Sequence, residues 1–260
     1  MTTTTTWSPL RSYALEAKYE FLKNVRMPAY AIPAITFPVM FYLLFGVLFG
    51  GARSAGTTTV ATYMLATYGA FGVIGSALFG FGVGVAVERG QGWLTLKRAT
   101  PMPPLAYFLA KLAMSSVFAM IIVLLLSIVG VTLGGVSLSA STWVRLVVTL
   151  ILGAAPFAAI GLALGYVSGP NSAAAIVNLI YLPLSFASGL WIPIEAMPSM
   201  IRSMALAMPP YHLGQLALSA VGAGRGAAVW AHVLALVGFA LIGLGGAWIA
   251  YRRDEDTNWG

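Results

Sequence analysis

Glu88-Arg89-Gly90-Gln91-Gly92-Trp93-Leu94-Thr95-Leu96-Lys97-Arg98-Ala99-Thr100-Pro101-Met102-Pro103-Pro104 is a polar island between two apolar runs, residues 58–87 and 105–133. It holds Glu88, Arg89, Lys97 and Arg98 in a chain where only 8% of residues are charged. Each flanking run exceeds the roughly 20 helical residues needed to cross a bilayer core about 30 Å thick. Charge is costly inside lipid, so the island lies in water or against another protein.

The wider composition agrees. The 260 residues are 59% hydrophobic, with a mean hydropathy of +0.88. A water-soluble fold has no means of hiding so much apolar surface. Lipid-exposed backbone must satisfy its own hydrogen bonds, so the expected class is an all-α membrane protein. The sequence contains no cysteine, which excludes disulfides, thiol nucleophiles and Cys-based metal sites. Two histidines, His212 and His232, are too few for a His-rich metal site. The net charge of +7 does not point to nucleic acid, because the basic residues mostly flank apolar runs, where they set orientation. The Thr2–Thr6 run lacks the pattern of a secretory leader.

Outward from the island, the chain divides into three parts. Residues 1–28 are expected to form a cytoplasmic amphipathic interface helix, with Ser8 able to cap it and Pro9 suited to its first turn. Leu10, Tyr13, Ala14, Ala17 and Phe21 share one face, and Arg11, Glu16, Lys18, Glu20 and Lys23 lie mostly off it. Residues 29–251 form a six-span domain, with spans near 29–49, 58–87, 105–133, 143–167, 172–191 and 228–251. Residues 252–260 form a cytoplasmic tail. Gly72, Ser76, Gly80 and Gly84, and likewise Gly161 and Gly165, recur every four residues, which lets helix backbones approach closely. Residues 192–227 are broken by Pro193, Pro198, Pro209 and Pro210 and predict short re-entrant or interfacial helices. In that segment Met197, Met200, Met204 and Met208 predict one apolar helical face, read as adaptable packing rather than a copper site. Glu195 suits a helix cap or a polar gate. Six spans put ten basic residues on the side of the termini and the island, against Arg53, Arg145, Arg202 and Arg225 on the other. Both termini and the island are therefore expected in the cytoplasm.

No nucleophile–His–acid set, paired intramembrane carboxylates or metal-ligand spacing is present in the sequence, and no Gly-Lys-Ser/Thr phosphate loop. The lack of acids in the span cores weighs against an ion-coupled secondary transporter, the alternative from another class. If the protein moves something uphill, energy arrives from outside the chain, and the island is the largest inward loop. Two stretches suit a path across the membrane: the stripe Phe37, Phe41, Phe45 with Tyr42 beside it, and the polar face Asn178, Tyr181, Ser185, Ser188. Packing between helices or against lipid is the competing account of the aromatic stripe, and interhelical hydrogen bonding that of the polar face.

Glu88-Arg89-Gly90-Gln91-Gly92-Trp93-Leu94, then Leu96-Lys97-Arg98-Ala99-Thr100-Pro101 and Lys111, resembles the cytoplasmic signature of type 2 ABC exporter permeases. Ser188-Gly189-Leu190-Trp191-Ile192-Pro193-Ile194-Glu195-Ala196-Met197-Pro198, continuing through Met208-Pro209-Pro210-Tyr211-His212, resembles the same family's stretch before the last span. Trp93 departs from the Thr common at its position. The resemblance implies a permease subunit without ATPase activity, working in the cell membrane as a pair, for which a homodimer is expected. Two cytoplasmic ATP-binding subunits would supply ATP and Mg, and no cofactor is expected in this chain. Glu88, Arg89, Gly90, Gly92, Trp93, Leu94, Lys97, Arg98, Thr100 and Pro101 would form the coupling segment. The path would run along the Phe37 and Asn178 faces, and Trp191, Pro193, Glu195 and Met197 would form an outer gate. The expected substrate is amphipathic (a drug, antibiotic or lipid-like molecule), as in multidrug efflux; a glycan or lipid-linked polymer is the alternative within the family.

Overall fold

The computed structural model describes residues 9–55, 57–98, 104–224 and 228–258. Helix α1 spans Pro9–Val25, and Pro28–Phe41 forms α2. Pro33 and Pro38 lie inside α2, and the helix continues as a π-helical stretch, Tyr42–Leu48. A proline removes one rung of the helical ladder, and a widened turn is one way to restore register. A two-stranded hairpin, Ser54–Ala55 with Thr58–Thr59, follows and among the described residues is the departure from an all-helical chain. Thr57 Oγ1 ties this hairpin to the Gly222 carbonyl at 2.9 Å.

Helix α3, Val60–Leu78, starts at a Thr59 cap whose side chain accepts from the Thr62 N–H. It is buried on nearly every face, as expected of a helix apolar all round. A π-helical turn, Phe79–Val83, carries it into α4, Gly84–Gly90, and the short α5 covers Trp93–Arg98. Helix α6 runs Pro104–Thr132, and Gly135, at a φ of +65°, turns the chain after it. The expected fourth span is α7, Ala140–Leu152, and α8, Ala154–Val167, jointed at Gly153. Next come α9, Ala173–Ala187, α10, Ser199–Ala205, and α11, Pro209–Ala220. Helix α12, Val229–Asn258, does not stop at Tyr251, so the expected tail begins as a continuation of the last helix.

Among the described residues, five helices are long and apolar enough to cross a membrane: Tyr30–Leu48, Val60–Gly90, Ala106–Thr132, Ala140–Val167 and Val229–Arg253. The protein is a multi-pass membrane protein, mostly helical. The expected fifth span is different. Its helix has 15 residues, about 22 Å long at 1.5 Å per residue, shorter than a hydrocarbon core of about 30 Å.

Glycines set how closely the helices pack. A Cβ on Gly165 would lie 2.9 Å from the Phe81 carbonyl and 3.0 Å from that of Gly82, so α8 meets the π-helical turn backbone to backbone. A Cβ on Gly72 would fall 2.6 Å from Ile122, one on Gly80 3.0 Å from Met114, and one on Gly84 3.2 Å from Lys111 Nζ. The ridge legible in the sequence thus faces α6. In lipid, where apolar burial gives helices little reason to associate, this close approach is a source of cohesion through van der Waals contact. At the opposite end His212 of α11 and His232 of α12 meet, with Nδ1 atoms 2.9 Å apart, while His212 Nε2 donates to the Leu206 carbonyl at 3.0 Å.

Gly165→Ala should lower stability by about 1–3 kcal/mol through overpacking. A Cβ on Gly238, inside α12, meets nothing within 4 Å, so Gly238→Ala should not lower the thermal transition in detergent and should raise it slightly through helix propensity.

Candidate functional site

The island folds as a helix–turn–helix corner. Helix α4 ends when Gly92 adopts a φ of +74°, a left-handed conformation that glycine takes without Cβ strain. Its N–H closes the turn on the Arg89 carbonyl at 3.0 Å. Gly90 seats against the loop after α8, where a Cβ would fall 2.6 Å from Pro170 Cγ. On α5, Trp93 and Leu96 are exposed, at 53% and 66%, whereas Leu94 packs against the core. Lys97 and Arg98 end α5, and Thr100 and Pro101 lie outside the described residues.

Arg89 secures one side of the corner. Its guanidinium donates to the Tyr166 carbonyl at 2.6 Å and to the Ser168 carbonyl at 2.9 Å. These carbonyls close α8, whose last turn lacks intrahelical donors and carries the negative end of the helix dipole. A cation placed there satisfies both.

Glu88 secures the other side. It is buried, as are Glu20 of α1 and Lys111 of α6. Lys111 Nζ donates to Glu20 Oε1 at 2.6 Å and to Glu88 Oε1 at 3.0 Å. The Tyr107 hydroxyl donates to Glu88 Oε2 at 2.6 Å. Lys23, half-buried, pairs with Glu20 at 2.8 Å and also with Glu88. Asn24 Nδ2 adds a bond to the Glu20 carbonyl at 2.8 Å. Two carboxylates and two ammonium groups balance, so no net charge is left out of water. Burial alone would push the Glu20 carboxyl up, but the Lys111 ammonium, with Lys23, holds it below its ordinary value. Burial alone would likewise lower the Lys23 ammonium, but Glu88 and Glu20 hold it above.

The sequence did not single out this cluster. Glu20 and Lys23 looked like the solvated side of an amphipathic helix, and Lys111 like a cytoplasmic flank. In the structure Glu20 is among the most buried positions of α1, and Phe21 contacts Phe118 of α6 at 5.8 Å. Two signals pointed that way: Lys111 stands well inside an apolar run, and Glu20, Lys23 and Asn24 share one helical face.

The expected path residues are partly brought together. Phe37 and Phe45 are exposed and Phe41 is half-buried, its ring 5.1 Å from that of Trp191. Tyr42 does not join the stripe; it is fully buried, and a Cβ on Gly130 would fall 2.7 Å from its hydroxyl. On α9, Tyr181 is buried, stacks on Phe71 at 4.8 Å and donates to the Phe71 carbonyl at 2.7 Å. Ser185 and Ser188 are buried, and Ser188 donates to Met208 Sδ at 3.6 Å; Asn178 is exposed. Phe71 and Tyr68 of α3, unremarked in the sequence, join these groups, since Trp191 meets Phe71 edge-on at 5.4 Å. Among the expected gate residues, Pro193 is half-buried and Glu195 is exposed in a short 3-10 turn. Glu195 does not cap α10, whose N-cap is Pro198 with no side-chain bond. Nor do the methionines share one face: Met197 is buried with Ile194 and Ala205 ahead of α10, while Met200 and Met204 are exposed.

A family model described as "ABC-2 type transporter" matches residues 13–221. The chain is also similar to "Putative transport permease YvfS" of Bacillus subtilis (strain 168), with 30% identity over 180 residues, 69% of this chain and 73% of that protein.

Replacing Glu88 by alanine leaves two ammonium groups facing one carboxylate, which should destabilise the fold by about 3–5 kcal/mol. The contribution of Glu20 is full above its ordinary value of 4.5 and is lost as pH falls through the lower folded value. That of Lys23 is full below 10.5 and lost only as pH rises through a higher value. Amide exchange in α1 should therefore stay slow from neutral pH down to the ordinary carboxylate value and quicken below it. Loss of protection near pH 6 would contradict this.

Proposed function

The chain belongs to the ABC-2 type transporter family, and from that premise we propose that this transmembrane permease serves an ATP-driven exporter of amphipathic molecules. Energy enters through a separate ATP-binding subunit, which binds ATP and Mg. The observation that carries the reading is the corner formed by α4 and α5. It is held from behind by Glu88 and Arg89, yet presents Trp93 and Leu96 outward. A large aromatic and a leucine beside charged residues make a suitable anchor for a partner cleft. A corner fastened to α1, α6 and α8 can pass a push from that partner to the membrane helices.

In this reading two copies of the permease, taken as identical, meet two ATP-binding subunits. The termini and the corner face the cytoplasm. Helix α9 completes six spans, its short length made up by the turn at Ser188–Trp191, and residues 192–227 close the outer side. The path runs between the exposed faces of α2 and α9. The exposed rings Phe37 and Phe45 and the half-buried Phe41 and Trp191 support an amphipathic substrate, because aromatic faces accept apolar bodies of varied shape, while Tyr68, Phe71 and Tyr181 back them from the core. Nucleotide-driven closure of the ATP-binding pair would alternate access to that path.

Trp93→Ala with Leu96→Ala should weaken association with the cognate ATP-binding subunit about tenfold, the loss expected on truncating interface anchors. Copurification from membranes reads this directly. In proteoliposomes Arg89→Ala should retain ATP hydrolysis while export falls. Unchanged association and unchanged export in these variants would refute the assignment of the corner.

A further inference from the structure

Lys111 has no solvent-exposed surface. Its ammonium joins residues that are remote in sequence, Glu20 of α1 and Glu88 of α4, at 2.6 and 3.0 Å. Gly84 makes the room, since a Cβ there would fall 3.2 Å from Lys111 Nζ. Tyr107, one turn before Lys111, donates to the far oxygen of Glu88 and fixes the carboxylate plane. The joint therefore has three helices and little tolerance for sliding. If α4 moved off α1, a buried ammonium and a buried carboxylate would part with no water to replace either bond.

We propose that Lys111, gripping Glu20, and Lys23, gripping Glu88, are the positioning residues that make α1 part of the coupling unit, locking it to α4 so that it travels with the corner. This rests on the reading of α4–α5 as the contact with the ATP-binding subunit. In this arrangement α1 is a strut, clamped at Glu20 and Lys23, and not a float at the membrane surface. A displacement of the corner is then shared by α1 and α6 together.

The chain has no cysteine, so two labels can be placed cleanly. Lys18→Cys on α1 and Gln91→Cys at the corner are both exposed. Spin labels at this pair, in the permease–ATPase complex, should give one narrow distance with and without trapped nucleotide. The informative variant is Glu20→Gln with Lys23→Met, which removes both charges that α1 contributes and leaves Lys111 paired with Glu88, so that it folds where Lys111→Met alone need not. It should broaden the distance and lower export per ATP hydrolysed by about tenfold, near the upper range for coupling changes. A general loss of structure would instead lower both activities together. A wild-type distance that shifts by about one helical turn, ~5 Å, between nucleotide states would overturn the proposal. So would a double variant with a narrow distance and normal coupling. The same label pair read in lipid discs holding the permease alone separates the two ideas. If the distance broadens in the double variant there but no ATP-binding subunit ever associates, the coupling reading fails and the joint stands. If the distance is indifferent to the double variant, the joint itself fails.

Discussion

Charges held away from water must be matched where they lie, and this constraint governs the site. An unpaired carboxylate or ammonium at the depth of Lys111 would cost several kcal/mol. Glu20, Lys23, Glu88 and Lys111 avoid that cost only while α1, α4 and α6 stay in register. The pairing is thus a geometric requirement more than a reserve of stability. A well-packed apolar cluster of similar volume could be as stable, but it would tolerate sliding that a set of directional bonds does not.

The rest of the architecture brings those charges within reach. Gly72, Gly80 and Gly84 let α3 and α4 approach α6, and Gly161 and Gly165 let α8 approach the Phe79–Val83 turn. From α8, the Tyr166 and Ser168 carbonyls then meet Arg89. The two charged neighbours Glu88 and Arg89, about 100° apart around one short helix, bind different helices. The corner they hold is fastened on both flanks, with α5 left facing outward. Toward the other end of α3, Tyr68 and Phe71 link the Phe41 ring to Trp191 and Tyr181 in one aromatic set. The continuous helical run Val60–Gly90 therefore touches both the α4–α5 corner and the proposed path, the connection that the proposed alternating access would use.

The amino-acid sequence alone determined the solvent, the helical membrane class and the place of the polar island. An apolar composition interrupted by one charged island leaves no alternative to a helical membrane protein with a polar loop, because lipid penalises bare backbone and bare charge. Small residues at four-residue spacing marked the packing ridges for the same local reason, and the order of two motifs gave the family resemblance. Tertiary structure decided which charges meet. Glu20 and Lys23 are polar residues on a mixed helix, and nothing local distinguishes a solvated face from one pressed against Lys111 some 91 residues away. It also turned Tyr42 into the core, split the methionines between buried and exposed positions, and placed His212 against His232. Partners across the fold depend on how helices stack, and the spacing of residues along one helix carries only half of that information.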